Sequence, residues 1–206
     1  MNKIFVYCHM KALQILLLFI SSALYGQYNG WSSFYSFNQI TGVYSGVDGQ
    51  VYGIAENSVL YYDPATNEVV PITTVNGLLG DEISALSVTD NFMVVGYHNG
   101  MLGIHNLMNG SVVLDSSIQR NLSIDPSNKA LHSFLVNDQT LYLSASYGIS
   151  AYDLSNNLFI ESYFFGPNNS EIQVNQTALV GESLYAATEE GLYKANISDP
   201  NLVLDS

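Results

Sequence analysis

Short runs of apolar and aromatic residues recur along most of the chain, each followed by a polar cluster that favours a turn. The runs are rich in Val, Ile, Leu and Tyr, and the clusters include DPATN (63–67), DPSN (125–128) and GPNN (166–169). This alternation is typical of half-buried β-strands joined by tight turns. No stretch beyond the first 26 residues sustains a helical period. The sequence therefore predicts an all-β fold.

The pattern repeats four times. LYLSASYGISAYD (141–153) aligns with LYAATEEGLYKAN (184–196), and NFMVVGYHNGMLGIH (91–105) and QVYGIAENSVLYYD (50–63) join them when Gly148, Gly191, Gly100 and Ser58 share one register. The spacings are 42, 48 and 43 residues. Each repeat predicts two strands joined by a hairpin: 50–55 with 58–63, 92–97 with 100–105, 140–145 with 148–153, and 183–188 with 191–196.

Two further apolar elements flank each hairpin. A preceding element has apolar residues at offsets zero, three and five: Ile83, Leu86, Val88; Leu131, Phe134, Val136; Val174, Thr177, Leu179. A following run occupies 69–75, 112–114, 158–165 and 202–204. Four strands in a unit of about 40 to 50 residues are the signature of a β-propeller blade. We expect blades near 41–75, 83–116, 131–165 and 174–206.

The glycine that aligns the repeats has a predicted mechanical role. It falls in the turn between the second and third strands, where HNG (98–100) and EEG (189–191) indicate a hairpin that needs a positive φ. In the first repeat Asn57-Ser58 takes this place and is the weaker version of the turn.

The first 26 residues have the form of a secretory signal peptide. Lys3 and Lys11 precede an apolar run at 13–20, and small residues follow it. The run is too short to span a bilayer, which needs about 20 residues. Cleavage is expected after Ala23 or after Gly26, and the sequence leaves both open. We therefore predict an exported chain whose mature part, 27–206, carries no transmembrane segment.

The strand YNGWSSFYSF (28–37) lacks blade partners of its own. It has the character of the outer strand of a blade whose other strands lie elsewhere, the usual way in which a propeller closes. Because the run at 202–204 already supplies the outer strand of the fourth blade, we expect residues 27–206 to be part of a larger ring, with 28–37 as the closing strand of its last blade.

Charge excludes one class of partner. The chain has 5 basic and 18 acidic residues, and loss of Lys3 and Lys11 with the signal changes its net charge from −13 to −15. Binding to nucleic acid depends on Lys and Arg, so we exclude nucleic acid. The mature part has no cysteine, since Cys8 is the only one; disulfides and thiol catalysis are therefore not expected.

Candidate chemistry is sparse. His98 and His105 have no third residue placed to complete a metal site, and His132 lies on an inner strand where it could face the central channel. No nucleophile elbow is present. We predict no catalytic residue, metal or cofactor. Tyr97 and Tyr147, next to the hairpin turns, are expected to be exposed and are our candidates for ligand contact by stacking.

A family resemblance adds a function. TTVNGLLGDEISAL (73–86) resembles the repeats of two-component regulator propellers. The order of phrases from WSSFYSFNQI through GYHNGMLGI and YGISAYDL to LYAATEEGLYKA resembles the N-terminal β-propeller of PorZ-like proteins, components of the type IX secretion system of Bacteroidota, over residues 28–204. No binding residue of that family can be assigned here, because no motif marks one.

The resemblance implies a non-enzymatic scaffold or binding module of the secretion and attachment machinery at the outer membrane. Its expected partners are other proteins of that complex and anionic lipopolysaccharide. Full members carry a second propeller and a C-terminal sorting domain. The alternative is a periplasmic, ligand-binding sensor propeller of a hybrid two-component regulator, and a propeller enzyme such as a lyase comes third.

Overall fold

The computed structural model describes residues 39–199, apart from the side chain of Asp48. Fifteen strands form four antiparallel sheets in chain order. Blade 1 contains β1 (Ile40–Ser45), β2 (Val51–Ala55), β3 (Ser58–Asp63) and β4 (Glu68–Ile72). Blade 2 contains β5 (Ile83–Val88), β6 (Phe92–Tyr97), β7 (Leu102–Asn106) and β8 (Val112–Asp115). Blade 3 contains β9 (Leu131–Asn137), β10 (Thr140–Ala145), β11 (Gly148–Asp153) and β12 (Leu158–Tyr163).

Blade 4 contains β13 (Val174–Val180), β14 (Ser183–Thr188) and β15 (Gly191–Asn196). The predicted fourth strand at 202–204 and the predicted closing strand at 28–37 lie outside the described residues. Within the described residues, helical structure is confined to the connections: α1 (Ser117–Arg120) and single 3-10 turns at Val47–Gly49, Thr74–Asn76, Pro126–Asn128 and Pro167–Asn169. The predicted all-β propeller fold and its hairpin strands are confirmed.

The hairpin turns differ in detail from the prediction. Gly100 has φ +81° in a longer turn between β6 and β7. In blade 3 the glycine begins the third strand instead: Gly148 has φ +146°, and a Cβ there would collide with the backbone carbonyl of Tyr163. In blade 1 the positive φ, +54°, falls on Glu56 and not on Asn57 or Ser58. Because Ser58 cannot easily adopt the glycine conformation, the turn moves the left-handed residue two positions earlier.

The core lies between the blades, since successive residues of each strand face opposite neighbours. On β6, Met93, Val95 and Tyr97 pack toward blade 1, whereas Phe92 and Val94 pack toward blade 3. Three apolar clusters result, one at each of the interfaces 1–2, 2–3 and 3–4. This sandwiching explains why 48% of the residues are hydrophobic.

Candidate functional site: the groove between the innermost strands

All four innermost strands carry a β-bulge at the same place. In each, the pairing with the second strand skips one residue directly after the first residue of the strand. The skipped residues, here called the bulged residues, are Thr41, Ser84, His132 and Asn175. All four are polar: three are uncharged, and the fourth is a histidine. A bulge redirects a side chain and disrupts the local ladder, and bulges are frequent next to binding sites.

The bulge explains the spacing of apolar residues in these strands. A regular strand buries positions zero, two and four on one face, but one extra residue moves the later positions to three and five. Leu131, Phe134 and Val136 accordingly pack in the same cluster between blades 2 and 3. The change of phase in the sequence, from offsets zero, two and four to zero, three and five, is therefore the signal that locates the bulge.

The innermost strands enclose an open groove with a volume of about 580 Å³. Its polar lining consists of Ser45, Ser87, His132, Ser133, Asn175 and Gln176. Its apolar and aromatic lining consists of Val43, Tyr44, Leu86, Val88 and Phe134. Every innermost strand contributes, and within residues 39–199 no Asp, Glu, Lys or Arg lines the groove. In a chain with 18 acidic residues, this groove is a neutral surface.

His132, which lies on an inner strand, lines the groove. Its Nε2 lies 2.8 Å from Ser146 Oγ in the β10–β11 turn. Burial, and secondarily the nearby His98, lower the pKa of His132 below its ordinary value of 6.5. The imidazole is therefore neutral at neutral pH, with one nitrogen able to donate and the other to accept.

The other bulged residues have different surroundings. Asn175 is exposed, and its Oδ1 accepts a hydrogen bond of 2.9 Å from Gln173 Nε2. Ser84 Oγ is covered and has no hydrogen-bond partner among residues 39–199. Thr41 lines a neighbouring recess of about 410 Å³ between blades 1 and 2, together with Glu56 and Glu82. The acidic side chains thus line this recess and not the groove.

The prediction that Tyr97 and Tyr147 are exposed is wrong. Both have 0% relative exposure, so neither can contact a ligand from solvent. Tyr97 ends β6 facing blade 1, and its hydroxyl accepts a 3.1 Å hydrogen bond from Leu79 N. Tyr147 packs between blades 2 and 3, where its hydroxyl is hydrogen-bonded to Ser150 Oγ. Burial raises the pKa of Tyr147 to about 12.

Both tyrosines belong to the apolar clusters between blades. Tyr97 shares one face of β6 with Met93 and Val95, and Tyr147 packs in the cluster between blades 2 and 3. The Tyr147 ring lies 5.8 Å from the Phe164 ring, centroid to centroid, and the two rings close that end of the cluster.

His98 and His105 do not line the groove. His98 is exposed in the β6–β7 turn, with Nε2 3.5 Å from Glu82 Oε1. His105 is buried on β7, and its Nε2 has no hydrogen-bond partner among the described residues. Burial lowers its pKa. Within residues 39–199 no three His, Cys, Asp or Glu side chains converge as metal ligands would.

The basic residues Arg120, Lys129 and Lys194 all lie outside the groove. Lys129 is buried, and its Nζ donates to the carbonyls of Gln119 (2.6 Å) and Asn121 (2.9 Å) at the end of α1. Lys194 Nζ lies over the Tyr185 ring, 5.8 Å from its centroid. Arg120 is exposed in the connection between blades 2 and 3. None of these three lines the groove.

The helices among residues 39–199 are too short or too polar to cross a membrane.

Comparison with known proteins assigns the fold to a family. The family model described as "TSS9, PorZ, N-terminal beta-propeller domain" matches residues 51–205. The chain belongs to the PorZ N-terminal β-propeller family. No curated protein matches it.

Solved structures share the fold at low identity. The PorZ structure of Porphyromonas gingivalis, described as an essential bacterial surface component of the type-IX secretion system, is 17% identical with a TM-score of 0.68, covering 85% of this chain and 24% of that one. The chain thus spans about a quarter of that PorZ. The extracellular domain of the putative hybrid two component system BT3049 from B. thetaiotaomicron is 17% identical with a TM-score of 0.57, covering 82% and 23%. The computationally designed Ika4 protein is 15% identical with a TM-score of 0.58, covering 80% and 95%.

Proposed function

We propose that this propeller is a non-enzymatic scaffold and binding module of the type IX secretion and cell-surface attachment machinery. Membership of the PorZ N-terminal β-propeller family over residues 51–205 carries the proposal. In this function the chain is exported by its signal peptide, residues 1–26, and acts at the outer membrane surface in contact with other proteins of the machinery.

Lipopolysaccharide is the proposed non-protein partner. The positions of the basic residues indicate how this domain would bind the lipopolysaccharide. Of the three basic residues of the mature part, Lys129 is buried against backbone carbonyls and Lys194 is directed over an aromatic ring, whereas Arg120 is exposed in the connection between blades 2 and 3, outside the groove. Neutral hydrogen-bonding groups, and not ion pairs, would therefore provide the contacts in this domain.

Deletion of the gene tests the scaffold proposal. We expect cargo proteins of the type IX system to disappear from the cell surface and to accumulate unattached, because the attachment complex lacks one of its components. Complementation with the wild-type gene is the control. Affinity isolation of the tagged full-length protein from outer membranes should recover other components of the complex. Normal cargo attachment in the deletion strain would contradict the proposal.

The second candidate is the periplasmic sensor propeller of a hybrid two-component regulator, which the fold similarity to BT3049 favours. The two functions differ in what the gene encodes beyond codon 206. A second propeller and a β-sandwich domain are expected for the scaffold, whereas a membrane-spanning helix followed by a kinase module is expected for the sensor. Reading the gene downstream of codon 206 therefore separates them.

A further inference from the structure

We propose that Asn109, in the turn between β7 and β8, is a site of spontaneous deamidation that converts its side-chain amide into a carboxylate. The reaction is independent of the function proposed above. The backbone nitrogen of Gly110 attacks the side-chain carbonyl carbon of Asn109, and ammonia leaves as a succinimide ring closes. Water then opens the ring to aspartate or isoaspartate. One water molecule is consumed and one ammonia is released, so the reaction needs no further reactant.

Asn-Gly dipeptides favour this reaction, because Asn is chemically labile and Gly places no side chain beside the attacking nitrogen. The chain has four of them, at 29–30, 76–77, 99–100 and 109–110, and the first lies outside the described residues. The surroundings of the other three differ, and these surroundings decide which of them reacts first.

Gly110 serves its turn through backbone conformation and not through packing. Its φ is +73°, and a Cβ there would meet no atom within 4 Å. In the equivalent turns of blades 1 and 3 this place is taken by Asn67 (φ +58°) and Asn157 (φ +51°). Blade 2 thus has glycine where the fold also accepts a larger residue, and the space around the attacking nitrogen is open.

The reacting atoms at Asn109 lie in an exposed turn. Asn109, Gly110 and the preceding Met108 are all exposed. Asn109 Oδ1 accepts a hydrogen bond of 2.9 Å from Ser111 N, whereas Nδ2, the group that leaves, has no acceptor among residues 39–199. Gly110 N donates to Asn106 O (2.9 Å), so this bond has to open before the attack. Local opening of an exposed turn has a low free-energy cost.

The same dipeptide at Asn99 and Gly100 is protected by its surroundings. Asn99 Nδ2 donates to Asp81 Oδ2 (2.9 Å), and Asn99 Oδ1 accepts from Met101 N (3.0 Å). Both ends of the side-chain amide are therefore held. Gly100 is buried, and a Cβ there would lie 3.0 Å from Ile118 Cγ2 of α1. Ring closure at this site would need the connection between blades 2 and 3 to move.

The dipeptide at Asn76 and Gly77 is an intermediate case. Asn76 is exposed, but its Oδ1 accepts a hydrogen bond of 3.0 Å from Thr73 N as part of a capping box. A Cβ on Gly77 would lie 3.0 Å from Val112 Cγ2, so this glycine packs closely against β8. Attack here would break the capping box. We therefore rank this site second among the three described dipeptides.

Deamidation of Asn109 would change the chemistry of a recess. Asn109 lines a recess of about 270 Å³ between blades 2 and 3, together with Asn106, Ser111, Ser155 and Asn157. Within residues 39–199 no Asp, Glu, Lys or Arg lines it. Aspartate adds a negative charge to this neutral lining, and isoaspartate also lengthens the backbone of the turn by one carbon. The modified chain thus differs from the new one in charge and in shape at this recess.

The test incubates the purified full-length protein in warm, mildly alkaline buffer and follows each Asn by peptide mapping with mass spectrometry. We expect Asn109 to be modified about tenfold faster than Asn99, because each additional hydrogen bond that must open makes the reactive geometry severalfold rarer. Asn156 is the matched internal control. It is exposed at the same place of the blade 3 turn but is followed by Asn157 instead of Gly, and it should stay unmodified.

Two variants exchange the reactive and the unreactive turn. Gly110→Asn introduces the residue type that blades 1 and 3 use at this positive φ, and it should stop modification at Asn109 while the melting temperature stays close to that of wild type. Asn157→Gly should make Asn156 reactive. Asn156 should still react more slowly than Asn109 does in wild type, because its Nδ2 donates to Asp153 Oδ2 (2.8 Å).

Three results would overturn the proposal. Absence of modification at Asn109 would show that the turn does not reach the reactive geometry. Equal rates at Asn109 and Asn99 would show that hydrogen bonds and burial do not select the site. An unchanged rate at Asn109 in Gly110→Asn would show that the glycine is not required. None of these outcomes bears on cargo attachment in the deletion strain, so the scaffold proposal is tested separately.

Discussion

The interface between blades 2 and 3 and the interface between blades 3 and 4 pack the same type of sheet with different chemistry. The first is closed by thirteen buried residues, including Ile118 and Ile124 from the connection between the blades. Among residues 39–199 the second has seven, of which three are alanines. It also contains a chain of hydroxyls: Ser133 Oγ donates to Ser144 Oγ (3.0 Å), which donates to Thr177 Oγ1 (3.2 Å).

The 2–3 interface contributes more to stability, whereas the 3–4 interface does more to fix the register between its two blades. Large apolar side chains contribute roughly 1.5–3 kcal/mol each when fully buried, so the 2–3 interface is the stronger contact. A buried hydroxyl chain contributes little net energy but penalises any arrangement that leaves a member without a partner. The 3–4 interface is thus expected to be weaker, with its register fixed by hydrogen bonds.

The comparison can be broken with two matched leucines. Leu143 on β10 and Leu184 on β14 are both fully buried on the second strand of their blades, at the 2–3 and 3–4 interfaces respectively. We expect Leu143→Ala to lower the free energy of unfolding by about 3–5 kcal/mol and Leu184→Ala by about 2–3 kcal/mol. The smaller loss is expected at Leu184 because its cluster contains three alanines, so truncation removes fewer apolar contacts. Urea denaturation measures both. A larger loss for Leu184→Ala would reverse the ranking of the interfaces.

A glycine sharpens the same comparison at the 2–3 interface. A Cβ on Gly96 of β6 would lie 2.5 Å from Phe134 Cζ and 3.0 Å from Leu131 Cβ, so the Phe134 ring and Leu131 would have to shift. Gly96→Ala should cost about 1–3 kcal/mol. Gly53→Ala on β2 is the control, since its Cβ would meet nothing nearer than 3.6 Å, and it should be neutral or slightly stabilising. Equal effects of the two substitutions would show that the close approach is not rigid.

The hydroxyl chain at the 3–4 interface gives a smaller effect with a clear signature. Ser144→Ala removes the middle hydroxyl and strands Ser133 and Thr177, at a cost of about 1–2 kcal/mol. Adding Thr177→Val removes one stranded partner with nearly the same shape, so the double variant should recover part of the loss. Additive losses in the double-mutant cycle would mean that the hydroxyls act independently.

How far the sequence predicts these features depends on whether they are periodic. Strands and blades follow from apolar repeats, and the all-β propeller was predicted from them. The exposure of Tyr97 and Tyr147 was predicted wrongly, because a residue beside a turn can face either water or the next blade, and only the packed neighbour decides. The hydroxyl chain joins residues on three strands of two blades, and single Ser and Thr positions carry no sign of such pairing. The bulged residues are an intermediate case. The apolar offsets zero, three and five already indicate one extra residue in each innermost strand, although they do not show what its side chain contacts.

The smallest expected effect extends the comparison to the interface between blades 1 and 2 and concerns pH. His105 on β7 is buried without a partner for Nε2 among the described residues, and burial lowers its pKa from the ordinary 6.5. Above about pH 6.5 the imidazole is neutral in both folded and unfolded chains; below it, the unfolded chain binds the proton first, so stability falls toward the folded pKa. The melting temperature should therefore be lower at about pH 5.5 than at about pH 7.5.

His105→Leu should reduce this difference without removing it, because the pKa of His132 is lowered as well. His98→Gln, at an exposed position, should change the difference only slightly, through its secondary effect on the pKa of His132. A fall in His105→Leu as large as in wild type would show that His105 does not determine the acid response.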